Sequence, residues 1–140
     1  MNLRVVAVGR DAYWLTAVHE ATADWAGDHP TLKCRGNLLK CISRLPQPDA
    51  STVLLVDASG QSDLECAVTE LRARGWKYVV VVAADPSANE ATSVLRGNLG
   101  YDYWEKTYDV EEIRDRVRIC FDEITSKKRS KKVKRNPFRK

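Results

Sequence analysis

Two side chains that could take part in phosphoryl transfer follow strand-like segments of the sequence. Asp57 comes directly after the apolar run 52–56, and Lys106 comes soon after the aromatic-rich segment 101–104. A carboxylate in such a position can act as a nucleophile toward a phosphoryl group, and a nearby ammonium can neutralise its charge. An aspartate after a strand can instead cap a loop or the next helix. The elements that position these residues decide between the two roles.

Strand-like and helix-like segments alternate five times along the 140 residues. Apolar runs at 3–8, 52–56 and 78–82 predict buried strands, and weaker signals predict strands at 31–35 and 101–104. Amphipathic patterns predict helices at 12–25 and 37–45, a third ending at Gly75, a fourth ending near Gly97 and a final one from Asp109 to Ile124. Capping boxes of Ser62 with Glu65 and of Ser87 with Glu90 mark the starts of the third and fourth helices.

The alternation predicts an α/β fold with a parallel sheet covered by helices on both faces. For five strands we expect the flavodoxin-like order 2-1-3-4-5 in a three-layer α/β/α sandwich. Ligands of such folds bind beyond the carboxyl ends of the strands. Asp57 and Lys106 both lie at such ends, so we expect their side chains to approach each other.

Two short motifs within this arrangement resemble the receiver domains of bacterial response regulators, the CheY-like family, over about residues 3–124. Segment 52–57 (TVLLVD) resembles the strand that carries the phospho-accepting aspartate. Segment 103–113 (YWEKTYDVEEI) resembles the closing segment, where a lysine is followed by proline and an aromatic. Thr107 replaces that proline and Tyr108 keeps the aromatic. The resemblance implies that Asp57 is the candidate phospho-acceptor and Lys106 its cationic partner.

The family pattern also implies residues that this chain lacks. Receivers carry two or three acidic residues just after the first strand, which hold Mg²⁺, whereas this chain has Gly9, Arg10 and Asp11. Receivers carry Thr or Ser at the end of the fourth strand to bind the phosphoryl group, and this chain has Ala83. Because Mg²⁺ prefers carboxylate ligands, we predict a pseudo-receiver with no enzymatic activity and no cofactor, binding Mg²⁺ only if Asp11 and Asp57 still form a working site.

Two arrangements of the degenerate site stay open. Asp57 and Lys106 can form an ion pair, or Arg10 can take the place of the metal beside Asp57 and hold the domain in one state. An active phospho-acceptor at Asp57, within a two-component phosphorelay, is the third functional hypothesis.

Other enzyme classes and metal sites find little support in the sequence. It contains neither the GxxxxGK[ST] nor the GxGxxG fingerprint. The four cysteines (Cys34, Cys41, Cys66 and Cys120) include no CxxC pair, so we predict no metal site. We interpret Cys66 and Cys120 as buried small hydrophobic residues and expect no disulfide.

A fold without chemistry is usually retained for contacts with other proteins. Receivers commonly signal through the fourth helix, fifth strand and fifth helix, a surface whose aromatic and arginine residues suit an interface. Whether two copies dimerise through this surface stays open. The predicted interface residues are Arg96, Tyr101, Tyr103, Trp104 and Tyr108.

The charge of the chain is strongly segregated. Of 23 Lys and Arg residues, nine fall within 127–140, where no acid occurs, so residues 1–126 carry 14 basic and 19 acidic residues and a net charge of −5. We therefore divide the chain into a receiver-like domain (1–126) and a basic C-terminal tail (127–140) that extends the final helix by a few residues at most. The tail is predicted to bind a polyanion through Lys127, Lys128, Arg129, Lys131, Lys132, Lys134, Arg135, Arg139 and Lys140.

Together these features predict a non-catalytic signalling or scaffold module with a protein partner and a polyanion-binding tail. The alternative is a nucleic-acid-associated protein whose α/β body is a docking platform in a larger assembly. The first ten residues lack the features of a signal peptide, and no apolar run approaches the ~20 residues that cross a bilayer, so we expect a cytoplasmic location.

Binding of the tail to nucleic acid should depend steeply on salt. The full chain should bind labelled DNA and RNA, and residues 1–126 should bind much more weakly, because the nine cations contact phosphates. Each engaged phosphate should contribute about −0.7 to −0.9 to the log–log slope of affinity against salt. No binding by either form at low salt would contradict this prediction.

Overall fold

The computed structural model of the chain describes residues 3–48, 51–59, 63–83 and 102–135, with side chains as far as residue 126. These ranges contain five strands and four helices. In chain order they are β1 (Arg4–Gly9), α1 (Ala12–Thr22), β2 (Thr31–Lys33), α2 (Leu38–Ile42), β3 (Thr52–Asp57), α3 (Leu64–Ala73), β4 (Tyr78–Ala83), β5 (Asp102–Glu105) and the final helix (Val110–Arg135). The predicted fourth helix near residues 87–97 lies outside the described ranges.

The five strands form one parallel sheet in the order β2-β1-β3-β4-β5, which confirms the predicted fold class. The central strands are the most apolar segments of the sequence, as expected for strands covered on both faces. In β3 every residue, including Asp57, is buried. All carboxyl ends therefore meet at one edge of the sheet, where Asp57 pairs with Val82 and Ala83 pairs with Glu105.

Alternating residues of the strands divide the core into two layers. Val6, Leu54 and Val81 face α2 and α3 on one side of the sheet. Val5, Leu55 and the other odd-numbered residues of β1 and β3 face α1 and the final helix on the other side. The sheet therefore lies between two helical layers, and α2 and the final helix lie on opposite faces of it.

Three local predictions were wrong. Helix α1 ends at Thr22 rather than Trp25. The N-cap of α3 is Asp63, whereas Ser62 was predicted. The Asp63 carboxylate accepts hydrogen bonds from the backbone N–H groups of Leu38 and Leu39, at the start of α2. Cys66 is exposed, because the buried positions of α3 are 64, 67, 68 and 71 and residue 66 falls on the opposite side.

The expectation of no disulfide was also wrong. Cys34 and Cys41 are bonded across the loop between β2 and α2, and both are buried, whereas Cys120 is a buried free thiol. Burial, with Asp102 and Glu123 nearby, raises the pKa of Cys120 to about 12, so the thiol is protonated near neutral pH. The disulfide attaches the C-terminal part of α2 to the residue that follows the edge strand β2.

The final helix extends further into the basic tail than the few residues predicted. It continues without a break from Val110 to Arg135. Its first half packs against α1 and the residues that follow α1: Arg114 donates a hydrogen bond to the carbonyl of Ala21, and the ring of Phe121 lies 5.6 Å from that of Trp25. Across the described ranges, no helix has the length and apolar content needed to cross a membrane.

Gly9, the last residue of β1, allows β1 and β3 to approach closely beside Asp57. A Cβ atom at Gly9 would lie 2.8 Å from the Cβ of Asp57, closer than two such atoms normally come. Gly36 also lacks space, but its nearest contact is the flexible Lys40 side chain at 3.2 Å. Gly9 is therefore required by packing at the carboxyl edge of the sheet.

Replacing Gly9 with alanine should destabilise the protein. We expect Gly9→Ala to lower the free energy of unfolding by about 1–3 kcal/mol, because backbone or Asp57 must move to admit the methyl group. Gly36→Ala is the matched control and should change it by less than about 0.5 kcal/mol, since the Lys40 side chain can move aside. Urea unfolding at neutral pH measures both, and equal stabilities of the two variants would contradict the role given to Gly9.

Candidate functional site

Asp57 is a buried carboxylate at the carboxyl end of β3, with 1% of the residue exposed. Its Oδ1 accepts a hydrogen bond from the backbone N–H of Ser59 at 3.0 Å, and its Oδ2 lies 2.9 Å from Nζ of Lys106. An ionised carboxylate removed from water is costly unless it is paired and hydrogen-bonded. Lys106 provides the countercharge that this position needs.

Lys106 reaches Asp57 from the loop after β5. Its backbone N–H donates to the carbonyl of Ala83 at 2.8 Å, which extends the β4–β5 pairing by one residue. Its ammonium lies between two carboxylates, 2.9 Å from Asp57 and 2.8 Å from Oδ2 of Asp11, with 8% of the side chain exposed. Burial opposes its charge, but the hydrogen bonds to Asp11 and Asp57 outweigh burial and raise the pKa of Lys106.

Asp11 combines a structural role with its contact to Lys106. As the N-cap of α1, its Oδ1 accepts hydrogen bonds from the backbone N–H groups of Tyr13 and Trp14 at 3.0 and 3.2 Å. Its Oδ2 accepts from Lys106 and from the hydroxyl of Tyr108. Burial favours the neutral acid, but these donors outweigh it and lower the pKa of Asp11 to about 2.

Tyr108 belongs to this site, although the sequence analysis considered it only as an interface residue. It is 54% exposed, its hydroxyl donates to Asp11, and its ring centroid lies 5.5 Å from the Lys106 ammonium. The hydrogen bond to Asp11, with a smaller effect of burial, raises the pKa of Tyr108. The sequence indicated only that Tyr108 lies two residues after Lys106. This position does not determine the direction in which its side chain points.

The cation that the structure places on Asp57 is Lys106, in agreement with the first of the two predicted arrangements. Arg10 is exposed, and its guanidinium donates to the carbonyl of Gly36 from Nε at 3.3 Å and from Nη2 at 3.1 Å. The geometry of the strand explains this direction. Gly9 faces Asp57, and the following side chain points to the opposite side of β1.

The donor set at the carboxyl edge does not fit a magnesium ion. Mg²⁺ needs near-octahedral oxygen ligands, usually including carboxylates. Position 9 is a glycine with no room for a side chain, and position 10 is an arginine. Both carboxylate oxygens of Asp11 and of Asp57 already accept hydrogen bonds. The described residues include no group of three or more His, Cys, Asp or Glu side chains that could hold a metal ion.

Of the remaining predicted residues, Ala83 borders this site. Its carbonyl accepts the hydrogen bond from the Lys106 N–H, and its side chain is a methyl group without a hydroxyl. Tyr103 and Trp104 are half-buried and pack against opposite core layers. The guanidinium of Arg116 lies 6.0 Å from the Trp104 ring. The other two predicted interface residues, Arg96 and Tyr101, lie outside the described part of the chain.

Comparisons with known proteins support the fold through structure. No protein-family model matches the chain, and no curated protein matches it by sequence. A solved response regulator receiver protein from Pseudoalteromonas atlantica superimposes with a TM-score of 0.61 at 14% identity, covering 88% of this chain and 97% of that one.

Two similar structures come from Burkholderia. A protein described as pilus assembly-related, from Burkholderia pseudomallei, gives a TM-score of 0.62 at 17% identity over 86% of this chain and 90% of that chain. A protein described as a pilus assembly protein (cpaE), from Burkholderia thailandensis, gives a TM-score of 0.62 at 18% identity over 89% of this chain and 99% of that chain. At such identities the likeness is one of fold, and this chain has a receiver-like fold.

The contacts of Lys106 predict how stability depends on charge and pH. Lys106→Met should lower the free energy of unfolding at pH 7 by about 3–5 kcal/mol, because it leaves a buried carboxylate without its countercharge. The wild type should lose stability as the pH falls from about 3.8 through about 2, where Asp11 becomes protonated.

Without Lys106, Asp11 loses its hydrogen bond to the ammonium, so its pKa should be lowered less and the variant should lose less stability over the same acid range. Urea unfolding at several pH values measures both effects. Lys77→Met, at an exposed lysine, is the control and should resemble the wild type. Equal stability of Lys106→Met and Lys77→Met at pH 7 would contradict the proposed pairing.

Proposed function

We propose that this chain is a non-catalytic receiver-like module that acts through contacts with other proteins. The observation that carries the proposal is the position of Lys106, whose ammonium bridges Asp11 and Asp57 at 2.8 and 2.9 Å. One cation of the chain itself thus contacts both carboxylates on which a metal-dependent phosphoryl transfer would depend.

The chemistry of phosphoryl transfer supports this interpretation. A divalent metal bridges the phosphoryl oxygens and neutralises the charge that develops on them. Here Asp57 is almost fully buried, its Oδ2 contacts Lys106, and its Oδ1 contacts the backbone of Ser59. For Asp57 to attack a phosphoryl donor, the Lys106 ammonium would have to move away from its Oδ2.

The end of β4 supports the same conclusion. The Ala83 methyl group can neither donate nor accept a hydrogen bond, so it cannot hold a phosphoryl group. The backbone of Ala83 instead fixes Lys106, through the hydrogen bond from the Lys106 N–H. We infer that the site is held in one state and that the module does not need phosphorylation to adopt its binding-competent form.

The surface formed by β5 and the final helix is where we propose that a protein partner binds. Ile119 is exposed, Trp104 is half-buried, and the Arg116 guanidinium lies near the Trp104 ring. Aromatic and arginine side chains are enriched among the residues that dominate interface energies. A second copy of this chain is one candidate for that partner.

The basic tail supports a second candidate function, that of a nucleic-acid-associated protein with the receiver-like body as a docking platform. Residues 127–135 continue the final helix, so this part of the tail has a helical backbone. A helix dense in Lys and Arg is suited to contacts with phosphates. Comparing full-length protein with residues 1–126 for nucleic-acid binding separates this function from the first.

Resistance to phosphorylation tests the proposal directly. After incubation with acetyl phosphate and Mg²⁺, intact-mass spectrometry should detect no phosphoryl adduct on the wild-type protein. An adduct that is lost in Asp57→Asn would show instead an active phospho-acceptor, the third hypothesis. The double variant Arg10→Asp with Ala83→Thr is the informative control, because it restores an acidic residue after β1 and a hydroxyl at the end of β4. A phosphoryl adduct that forms only in this variant would show that these two positions account for the absence of phosphorylation in the wild type.

A further inference from the structure

A second basic surface lies on the acidic body, far along the chain from the tail. Residues 29–48 contain four cations and no Asp or Glu, although residues 1–126 as a whole carry a net charge of −5. The four cations belong to β2, to α2 and to the loops around them. We call this the β2–α2 basic surface, formed by Lys33, Arg35, Lys40 and Arg44.

The four side chains are exposed and grouped around a shallow depression. Arg35, Lys40 and Arg44 line a cavity of about 330 Å³ together with Gly36 and Cys41. The guanidinium of Arg44 donates to the carbonyl of Lys33 at 3.5 Å, which places the ends of the surface near each other. Arg10 borders it through its hydrogen bonds to Gly36.

These cations have no carboxylate partners within the described ranges. The ion pairs found there involve Lys106, Arg74 at the C-cap of α3 and three arginines of the final helix. Asp63, the acid that contacts α2, accepts hydrogen bonds from backbone N–H groups of that helix. The positive charge of the surface is therefore not neutralised locally and is available to an anionic ligand.

The surface has a rigid base, in contrast to the long side chains that form it. Beneath the cations, Cys34 and Cys41 form a buried disulfide, and Leu38 and Ile42 are fully buried in the core. The backbone N–H of Cys34 donates to the carbonyl of Gly9 at 2.7 Å, which continues the β1–β2 pairing. The backbone positions of the cations are therefore set before any ligand binds, which lowers the entropic cost of binding.

We propose that the β2–α2 basic surface binds the phosphate backbone of a nucleic-acid duplex. A duplex carries about one negative charge per 1.7 Å of its axis, so several unpaired cations can contact phosphates at once. Proteins that grip single strands use aromatic side chains as stacking platforms, and dominant residues of protein interfaces are often aromatic. Residues 26–75 contain no Phe, Trp or Tyr, which favours a duplex over a single strand and over a protein partner.

This surface is separate from the basic tail. Helix α2 packs on one face of the sheet and the final helix packs on the other. The two basic regions should therefore contribute independently to affinity. The inference also does not depend on whether Asp57 accepts a phosphoryl group, so its failure and the failure of the proposed function are distinguishable.

Charge-neutralising variants of the full-length protein test the proposal. Arg35→Gln with Lys40→Gln removes two cations whose side chains make no hydrogen bond or ion pair in the described ranges. Lys77→Gln with Arg118→Gln removes two exposed cations elsewhere on the body and is the matched control. The probe is a mixed-sequence DNA duplex, titrated by fluorescence anisotropy across a salt series, and circular dichroism verifies that both variants fold.

We expect the surface variant to bind the duplex at least about tenfold more weakly than the control at ~100 mM salt, with a log–log salt slope smaller by about 1–2. Equal affinities and slopes of the two variants would overturn the proposal, because net charge alone would then explain binding. Tighter binding to poly-glutamate than to the duplex, weakened by the same two substitutions, would also overturn it and would assign the surface to an acidic protein.

Discussion

The ammonium of Lys106 is the contact on which the carboxyl edge of the sheet depends. Asp57 is buried at the end of β3, a strand in which every residue is buried, and an unpaired charge there would oppose folding. Lys106 removes this penalty and at the same time connects Asp57 to Asp11, the N-cap of α1. A single side chain thus joins the ends of β1, β3 and β5 to the start of a helix.

Most of the fold could be predicted because the relevant signals are local. Runs such as 78–82 are too apolar and too short to be anything but buried strands, and a complete alternation of strands and helices leaves few topologies. The details that failed depend on tertiary contacts. Asp63 occupies the N-cap position of α3 without a side-chain hydrogen bond to that helix, because its carboxylate accepts from the N–H groups of Leu38 and Leu39 instead, and the sequence does not show that α2 begins beside it.

The pairing of Asp57 with Lys106 was predictable from the sequence, whereas the placement of Arg10 and Tyr108 was not. Asp57 and Lys106 follow strands whose ends must meet, so their proximity followed from topology. The direction of Arg10 depended on which residue of β1 faces Asp57, and a shift of one residue reverses it. Tyr108 lies in a loop, where no periodicity fixes the direction of a side chain, and its contact with Asp11 could be found only from coordinates.

The continuity of the final helix has a geometric consequence. The helix starts two residues after Tyr108 and continues to Arg135, a rod of about 39 Å at 1.5 Å per residue. One end therefore adjoins the hydrogen-bonded network around Lys106, and the other carries the cations of the tail. Ile113, Val117, Cys120 and Ile124 anchor the helix in the core, so they fix the direction of its axis relative to the sheet. The packing of the first half of the helix therefore sets the direction in which its basic end points.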